Sequence, residues 1–204
     1  MNMNRASYSK LKTWLTCPRQ YEAKYITREW PPFHDTPATL RGKKIHQALE
    51  RAVRGEDDPD KHVWTPEGLL PALRRAGAEA EYKYERTIDG VTWVAYADVR
   101  LAGPHSTTLV DWKTGQFRPD ELQADVYAML ERMLDGVPDA RRNVSFSWVY
   151  VDQKLTHKVD VDGYARRRVY SIVDSIVADK TFDPKPCWAC RFCPLTACEY
   201  NRSK

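Results

Sequence analysis

Asp98, Asp111 and Lys113 are the residues whose types and spacing point first to chemistry. They lie in VAYADVRLAGPHSTTLVDWKTG, residues 94–115, with Asp98 on one run of alternating apolar residues and Asp111 on a second. Residues two apart on a strand project from the same face. Asp111 and Lys113 would therefore stand together, and Trp112 between them would turn into the core. Paired carboxylates suit a hard divalent cation such as magnesium, which keeps several waters and takes few protein oxygens. Such an ion neutralises the charge of a phosphodiester and lowers the pKa of water. A lysine beside it can stabilise charge in the transition state or position the attacking water. The same residues also fit a plain strand-surface ion pair of Asp111 with Lys113.

Other side chains carry donor chemistry. In RGKKIHQALE, His46 stands one residue off the apolar stripe of Ile45 and Leu49 on an expected helix. There an imidazole can face a cleft and ligate a metal, or lie half-buried. Gln123 and Tyr127 are four apart and share a helix face. They could hold DNA or order a site; alternatively Gln123 closes a capping box with Asp120 and Tyr127 joins the core. Of five cysteines, Cys17 stands alone, and Cys187, Cys190, Cys193 and Cys198 crowd PCWACRFCPLTACEY. Thiolates so spaced can converge on one soft metal centre, either tetrahedral zinc or an iron–sulfur cluster. Two ligand sets are open: the local four, or Cys17 with Cys190, Cys193 and Cys198, which would staple the chain ends together. Spacing alone does not choose.

The elements that must position these residues can be read from periodicity and turn signals. Helices are expected over 7–25 with a break at Pro18, and over 37–54, 66–80, 119–135 and 161–180. Strands are expected over 81–88, 91–101, 108–113, 144–152 and 155–160, the first two joined by an Asp89-Gly90 turn. In 91–101, Val91, Trp93, Ala95, Ala97, Val99 and Leu101 are expected on one face, and Tyr96, Asp98 and Arg100 on the other. This order implies an α/β fold around one mixed sheet. Lys and Arg total 32 against 28 Asp and Glu, a net charge of +4 over 204 residues. That mild basic bias permits an anionic partner without demanding one. No apolar run reaches about 18 residues, and MNMNRASYSK has no secretory h-region, so a cytoplasmic chain with reduced thiols and no membrane segment is expected.

In order along the chain, these pieces resemble the RecB-type nuclease branch of the PD-(D/E)XK superfamily, and within it the small members with an iron–sulfur cluster, such as CRISPR spacer-acquisition nucleases and phage exonucleases. The resemblance rests on Ser9-Lys10-Leu11 through CPRQYEAKY with Cys17, RGKKIHQALE with His46, Glu81 before Asp89-Gly90, Asp98, VDWKTG with Asp111 and Lys113, QADVY with Gln123 and Tyr127, and the terminal cysteines. It implies a restriction-endonuclease-like mixed central sheet flanked by helices. It also implies His46, Asp98 and Asp111 as Mg²⁺ or Mn²⁺ ligands, the last with the backbone beside Lys113. A 4Fe-4S cluster on Cys17, Cys190, Cys193 and Cys198 would tie the N- and C-terminal segments. Departures are Ala95 where the family usually has glycine, a short last cysteine gap, Cys187 as an alternative ligand, and Glu79 and Glu85 as rivals to Glu81.

The resulting expectation is a divalent-metal-dependent DNA exonuclease acting on single-stranded ends. It would form one nuclease domain over 1–204, with 1–36 and 181–204 as the cluster-binding subregion and 37–180 as the catalytic core. Arg19, Tyr21, Lys43 and Lys44 are expected to line the strand path by charge and stacking. Partners would come from recombination, replication or spacer integration. The rivals are a non-catalytic DNA-binding adaptor and a zinc-knuckle interaction module.

Overall fold

The computed structural model describes residues 3–134 and 141–202. A six-stranded mixed sheet runs through the middle: β1 (Arg5–Ala6), β2 (Glu79–Ile88), β3 (Val91–Ala102), β4 (Ser106–Lys113), β5 (Asn143–Tyr150) and β6 (Leu155–Val161). Helices α1 (Tyr8–Thr16), α2 (Pro18–Tyr25), α3 (Pro37–Arg54), α4 (Leu69–Arg75), α5 (Glu121–Arg132) and α6 (Ala165–Ala178) flank it. β2 and β3 form an antiparallel hairpin, β3 pairs antiparallel with β4, and β5 with β6. β4 and β5 are parallel, with α5 as the crossover between them. This is a mixed α/β architecture consistent with a restriction-endonuclease-like fold.

Local chemistry explains most boundaries. The Ser7 side chain caps α1, and Pro18 opens α2 at a position where its missing N–H costs nothing. Thr36 caps α3, Pro37 follows at its first turn, and Gly55 ends it in the left-handed region at φ 76°. Asp89 and Gly90 both have positive φ, 50° and 77°, as a tight hairpin turn requires. Two helices are shorter than periodicity implies. Helix α4 ends at Arg75 because Gly77 turns left-handed and the chain leaves as strand, with Glu79 and Ala80 pairing Arg100 and Val99. Pro71 does not weaken it, since it falls in the first turn. Helix α6 starts at Ala165 because Val161 still pairs with Val144 in the sheet. The last residue expected in the 119–135 helix, Asp135, lies outside the described residues.

The sheet separates two cores. The larger gathers Leu11, Tyr21, Met129, Leu130 and Val169 from α1, α2, α5 and α6 against Trp93, Phe146 and Trp148. The smaller gathers Ile45, Leu49 and Leu73 from α3 and α4 against Val99, Val110, Trp112 and Val149. β5 is buried on both faces, as a central strand next to a parallel neighbour should be.

β3 departs from simple alternation. Val91, Trp93, Ala95 and Ala97 join the larger core, yet Val99 and Leu101 pack in the smaller one across the sheet. The expectation that all six share one face is corrected: the strand changes face between Ala97 and Val99. Two features coincide with the switch. Glu81 on the neighbouring strand takes a positive φ of 53°, a conformation uncommon for a residue with a Cβ. β3 also stops pairing with β4 at Val99 opposite Val110. The residues that would continue the ladder are Asp98 and Asp111.

Candidate active site

The place where β3 and β4 part is the place where the expected acids meet. Parting leaves the Trp112 N–H of β4 without a strand partner, and it donates to Asp98 Oδ2 at 2.7 Å. Burying an unpaired backbone N–H is costly, so Asp98 repairs the ladder with its side chain. Its other oxygen lies 3.4 Å from His46 Nδ1 of α3. Asp111 and Lys113 share a face as their spacing requires, with Lys113 Nζ 2.6 Å from Asp111 Oδ2. Trp112 between them is buried in the smaller core.

Helix α5 supplies the second side of the site. Gln123 Nε2 donates to Asp111 Oδ1 at 2.6 Å, and Gln123 Oε1 accepts from Trp148 Nε1 at 3.0 Å. The indole therefore fixes which way the amide points. Gln123 does not close a capping box; the Asp120 side chain caps α5 by accepting from the Leu122 N–H. Tyr127 is buried, and its hydroxyl donates to the Tyr96 carbonyl at 2.6 Å, tying α5 to β3 beside Asp98. Asp120 also accepts from Tyr8 Oη at 2.9 Å and pairs with Lys12 at 2.5 Å, which anchors α1 to the same helix start.

The electrostatics follow from this crowding. Burial, the largest influence, pushes the Asp111 carboxyl up to about 6, aided by the charge of Asp98 and opposed by Lys113 and Gln123. Asp111 Oδ2 is buried and takes no well-angled hydrogen bond, although Lys113 is close enough for an ion pair. For His46 burial favours the neutral ring, but the contact and charge of Asp98 outweigh it and the ring sits above its ordinary value. Glu81 is raised by burial first, then by Asp98 and Glu50. In the β2–β3 register Glu81 falls beside Asp98, between the Ala80–Val99 and Tyr82–Ala97 pairs, whereas Glu79 pairs with Arg100 at 2.5 Å and Glu85 pairs with Lys83.

The residues expected along a strand path divide. Tyr21 is 1% exposed and stacks 6.0 Å from Phe182 in the larger core. A ring so placed cannot stack on a base, and that expectation is corrected. Arg19 pairs with Glu22 and Glu29, and it borders the cysteines rather than the acids. Lys43 is exposed on α3 and pairs with Asp35 at 2.8 Å, and Lys44 is exposed beside it. Residues that sequence reading missed are Tyr8, Lys12, Trp148 and Tyr96. Trp148 reaches Gln123 because it sits opposite Asp111 in the β4–β5 register, a relation no local spacing carries.

The second cluster lies at the chain ends. Cys17, Cys190, Cys193 and Cys198 line one small cavity, and Cys187 does not. Cys187 is still near, its sulfur 4.0 Å from that of Cys190. The Lys185 N–H donates to Cys17 Sγ at 3.4 Å, and the Cys187 N–H to Cys190 Sγ at 3.3 Å. Burial raises the Cys193 thiol, and Cys198, Cys17 and Cys190 add to it. Protein contacts alone already join the two ends: Trp14 Nε1 donates to Asp179 Oδ2 at 2.9 Å, and Tyr21 stacks on Phe182. Among the described residues, no three His, Cys, Asp or Glu side chains are drawn tightly enough around one point to form a finished metal cage, and no helix is long and apolar enough to cross a membrane.

Residues 5–104 match the model of the PD-(D/E)XK nuclease superfamily. Gene 69 protein of Mycobacterium phage D29 is 26% identical over 158 residues, covering 74% of this chain and 55% of that protein. The chain thus spans about half the length of that curated relative. Among solved structures, one titled the crystal structure of SSO0001 aligns with a TM-score of 0.57 at 16% identity, covering 98% of this chain and 88% of that one. That is a likeness of fold.

Proposed function

We propose, for a chain whose residues 5–104 match the PD-(D/E)XK nuclease superfamily model, a divalent-metal-dependent DNA exonuclease acting on single-stranded ends, with a four-cysteine iron–sulfur cluster clamping its termini. The observation that carries the nuclease reading is the convergence of Asp98, Asp111, Lys113 and His46 at the parting of β3 and β4. Residues of this kind fit Mg²⁺ or Mn²⁺: they are hard oxygen donors with an imidazole, and Asp111 Oδ2 is buried without a well-angled hydrogen bond. His46, Asp98 and Asp111 would hold the ion, which would supply positive charge against the phosphodiester and make water easier to deprotonate.

The chain's own groups do the rest. Lys113 would place its ammonium where charge gathers on the phosphoryl oxygens. Gln123, oriented by Trp148, keeps Asp111 in one rotamer. Tyr127 holds the β3 backbone that carries Asp98. Glu81 borders the same acids and would aid in orienting water. Lys43 and Lys44, exposed on the helix of His46, would meet the DNA backbone by charge.

Four thiols around one cavity fit a tetrahedral soft centre. The cluster would add a covalent tie between segments already in contact, with zinc as the alternative occupant of the same thiols. Anaerobically purified protein should be brown and carry iron; zinc without iron would replace the cluster. The nuclease reading is tested by digesting end-labelled single- and double-stranded DNA with Mg²⁺ or Mn²⁺. Stepwise shortening of single strands is expected, reduced about 10²–10³-fold in Lys113→Ala, the size of losing one transition-state charge partner. Equal residual cleavage by the wild type and Lys113→Ala would remove the mechanism.

A further inference from the structure

A groove of about 410 Å³ opens beside the acids, between the β1–α1 junction and the outer part of β3. That volume is in the range of small-ligand pockets. Its lining includes Arg5, Ser7, Ser9, Lys10, Tyr96 and Tyr127, and no carboxylate. Tyr127 connects it to the acid cluster: its hydroxyl donates to the Tyr96 carbonyl, two residues before Asp98 on β3, and it stands one helical turn after Gln123, which holds Asp111. Tyr96 is 52% exposed although it sits mid-strand, so its ring faces open space. The Tyr96 backbone carbonyl, which accepts from Tyr127, is a separate feature from that free ring.

The Lys10 ammonium of the groove is held in place. Lys10 Nζ donates to the Arg5 carbonyl at 2.9 Å and lies 5.3 Å from the centre of the Tyr25 ring. Burial first, and then the charge of Arg5, pull the Lys10 ammonium below its ordinary value. Glu85, the acid whose field reaches Arg5, is itself paired with Lys83. The start of α1 borders the same space through Ser7, Ser9 and Lys10, and Ser7 caps the helix by accepting from the Lys10 N–H. Two cations, two serine hydroxyls and an exposed aromatic ring, with no acid among the lining residues, match a phosphate joined to a flat ring.

We infer that this groove seats one nucleotide of a single strand next to the scissile position, Lys10 and Arg5 meeting its phosphate and Tyr96 stacking on its base. The inference rests on the nuclease reading for its meaning, but not for its test. Stacking on an aromatic ring accounts for about a tenfold difference in binding, and each phosphate contact for about 0.7 in the slope of log affinity against log salt on single strands.

The test uses the full chain and a fluorescent single-stranded oligonucleotide, read by anisotropy with calcium in place of magnesium. Tyr96→Ala should weaken binding about tenfold, with Tyr96→Phe restoring it. Lys10→Gln, which can still donate to the Arg5 carbonyl, should lower the salt slope by about 0.7. Under magnesium, the rate ratio of oligonucleotide to bis(p-nitrophenyl) phosphate should fall in both variants, since the small diester has no neighbouring nucleotide. Unchanged binding and salt slope would overturn the inference, as would equal losses on both substrates. Protein that binds but cleaves neither substrate, with binding still lost in the variants, would retain the groove and defeat the nuclease reading alone.

Discussion

Glu131 of α5 is fully buried, its side chain 0% exposed, and replacing it with glutamine should cost more than any surface change in this chain. Its two oxygens accept four hydrogen bonds: from Arg100 Nε and Nη2, both at 2.9 Å, from Tyr84 Oη at 2.7 Å and from Thr107 Oγ1 at 2.7 Å. Arg142 adds a longer contact at 3.5 Å. Glutamine keeps the volume but turns one acceptor into a donor. Two of the four donors then face an N–H₂ group, and Arg100 loses one of its two bonds to residue 131 and keeps only the half-exposed Glu79 as a charged partner. Removing one member of a buried ion pair costs about 3–5 kcal/mol, a large share of the ~5–15 kcal/mol that holds a typical domain. At about 2–4 °C per kcal/mol for a chain of this length, the melting temperature should fall by roughly 6–20 °C. Thermal and urea unfolding check it, and an unchanged urea m-value would show that the two-state reference held. A loss below about 1 kcal/mol would refute the claim that this network is dry and fully engaged.

The same group sets an acid limit. Burial alone would raise Glu131, but the bonds from Arg100, Tyr84 and Thr107 outweigh it and hold the carboxyl below the usual glutamate range. A depressed folded value means stability that is complete above the unfolded glutamate pKa and lost as pH falls through the folded one. Wild-type protein should therefore lose stability below about pH 4.5, and Glu131→Gln should show a shallower acid limb in urea titrations at stepped pH. Gln123→Leu strips Asp111 Oδ1 and Trp148 Nε1 of their partners; a drop of roughly 1–3 kcal/mol in stability is expected, with magnesium-supported cleavage falling about tenfold or more. Cys17→Ser should abolish bound iron, whereas Cys187→Ser should retain it, as measured by metal analysis and visible absorbance. The reverse result would move the cluster to the local four cysteines.

Much of the fold is legible where the signals are local. α3 keeps the expected span because Thr36, Pro37 and Gly55 fix its ends within a few residues. The β2–β3 hairpin is legible from Asp89-Gly90 for the same reason. Asp111 and Lys113 meet because strand geometry alone puts them together. Failures occur where distant chain decides. The face change in β3 is invisible in a sequence that alternates without a break, because the features that accompany it are the positive φ of Glu81 on one neighbour and the departure of the other. Tyr21 reads as an exposed helix aromatic until Phe182 arrives from the far end to cover it. Glu131 gives no hint of burial, since its partners come from three strands. Gly42, a poor helix residue by propensity, makes sense only once Thr114 is seen 3.1 Å from where its Cβ would stand.

The parting of β3 from β4 leaves the protein little freedom to drift. A one-residue slip of β3 would exchange the inward and outward side chains of both apolar layers and carry Asp98 away from Trp112 in the same motion. Foldedness and chemistry are thus locked to a single frame. Inserted or deleted residues would be tolerated in the Gly103–His105 connection, which makes that bend a natural place for relatives to diverge.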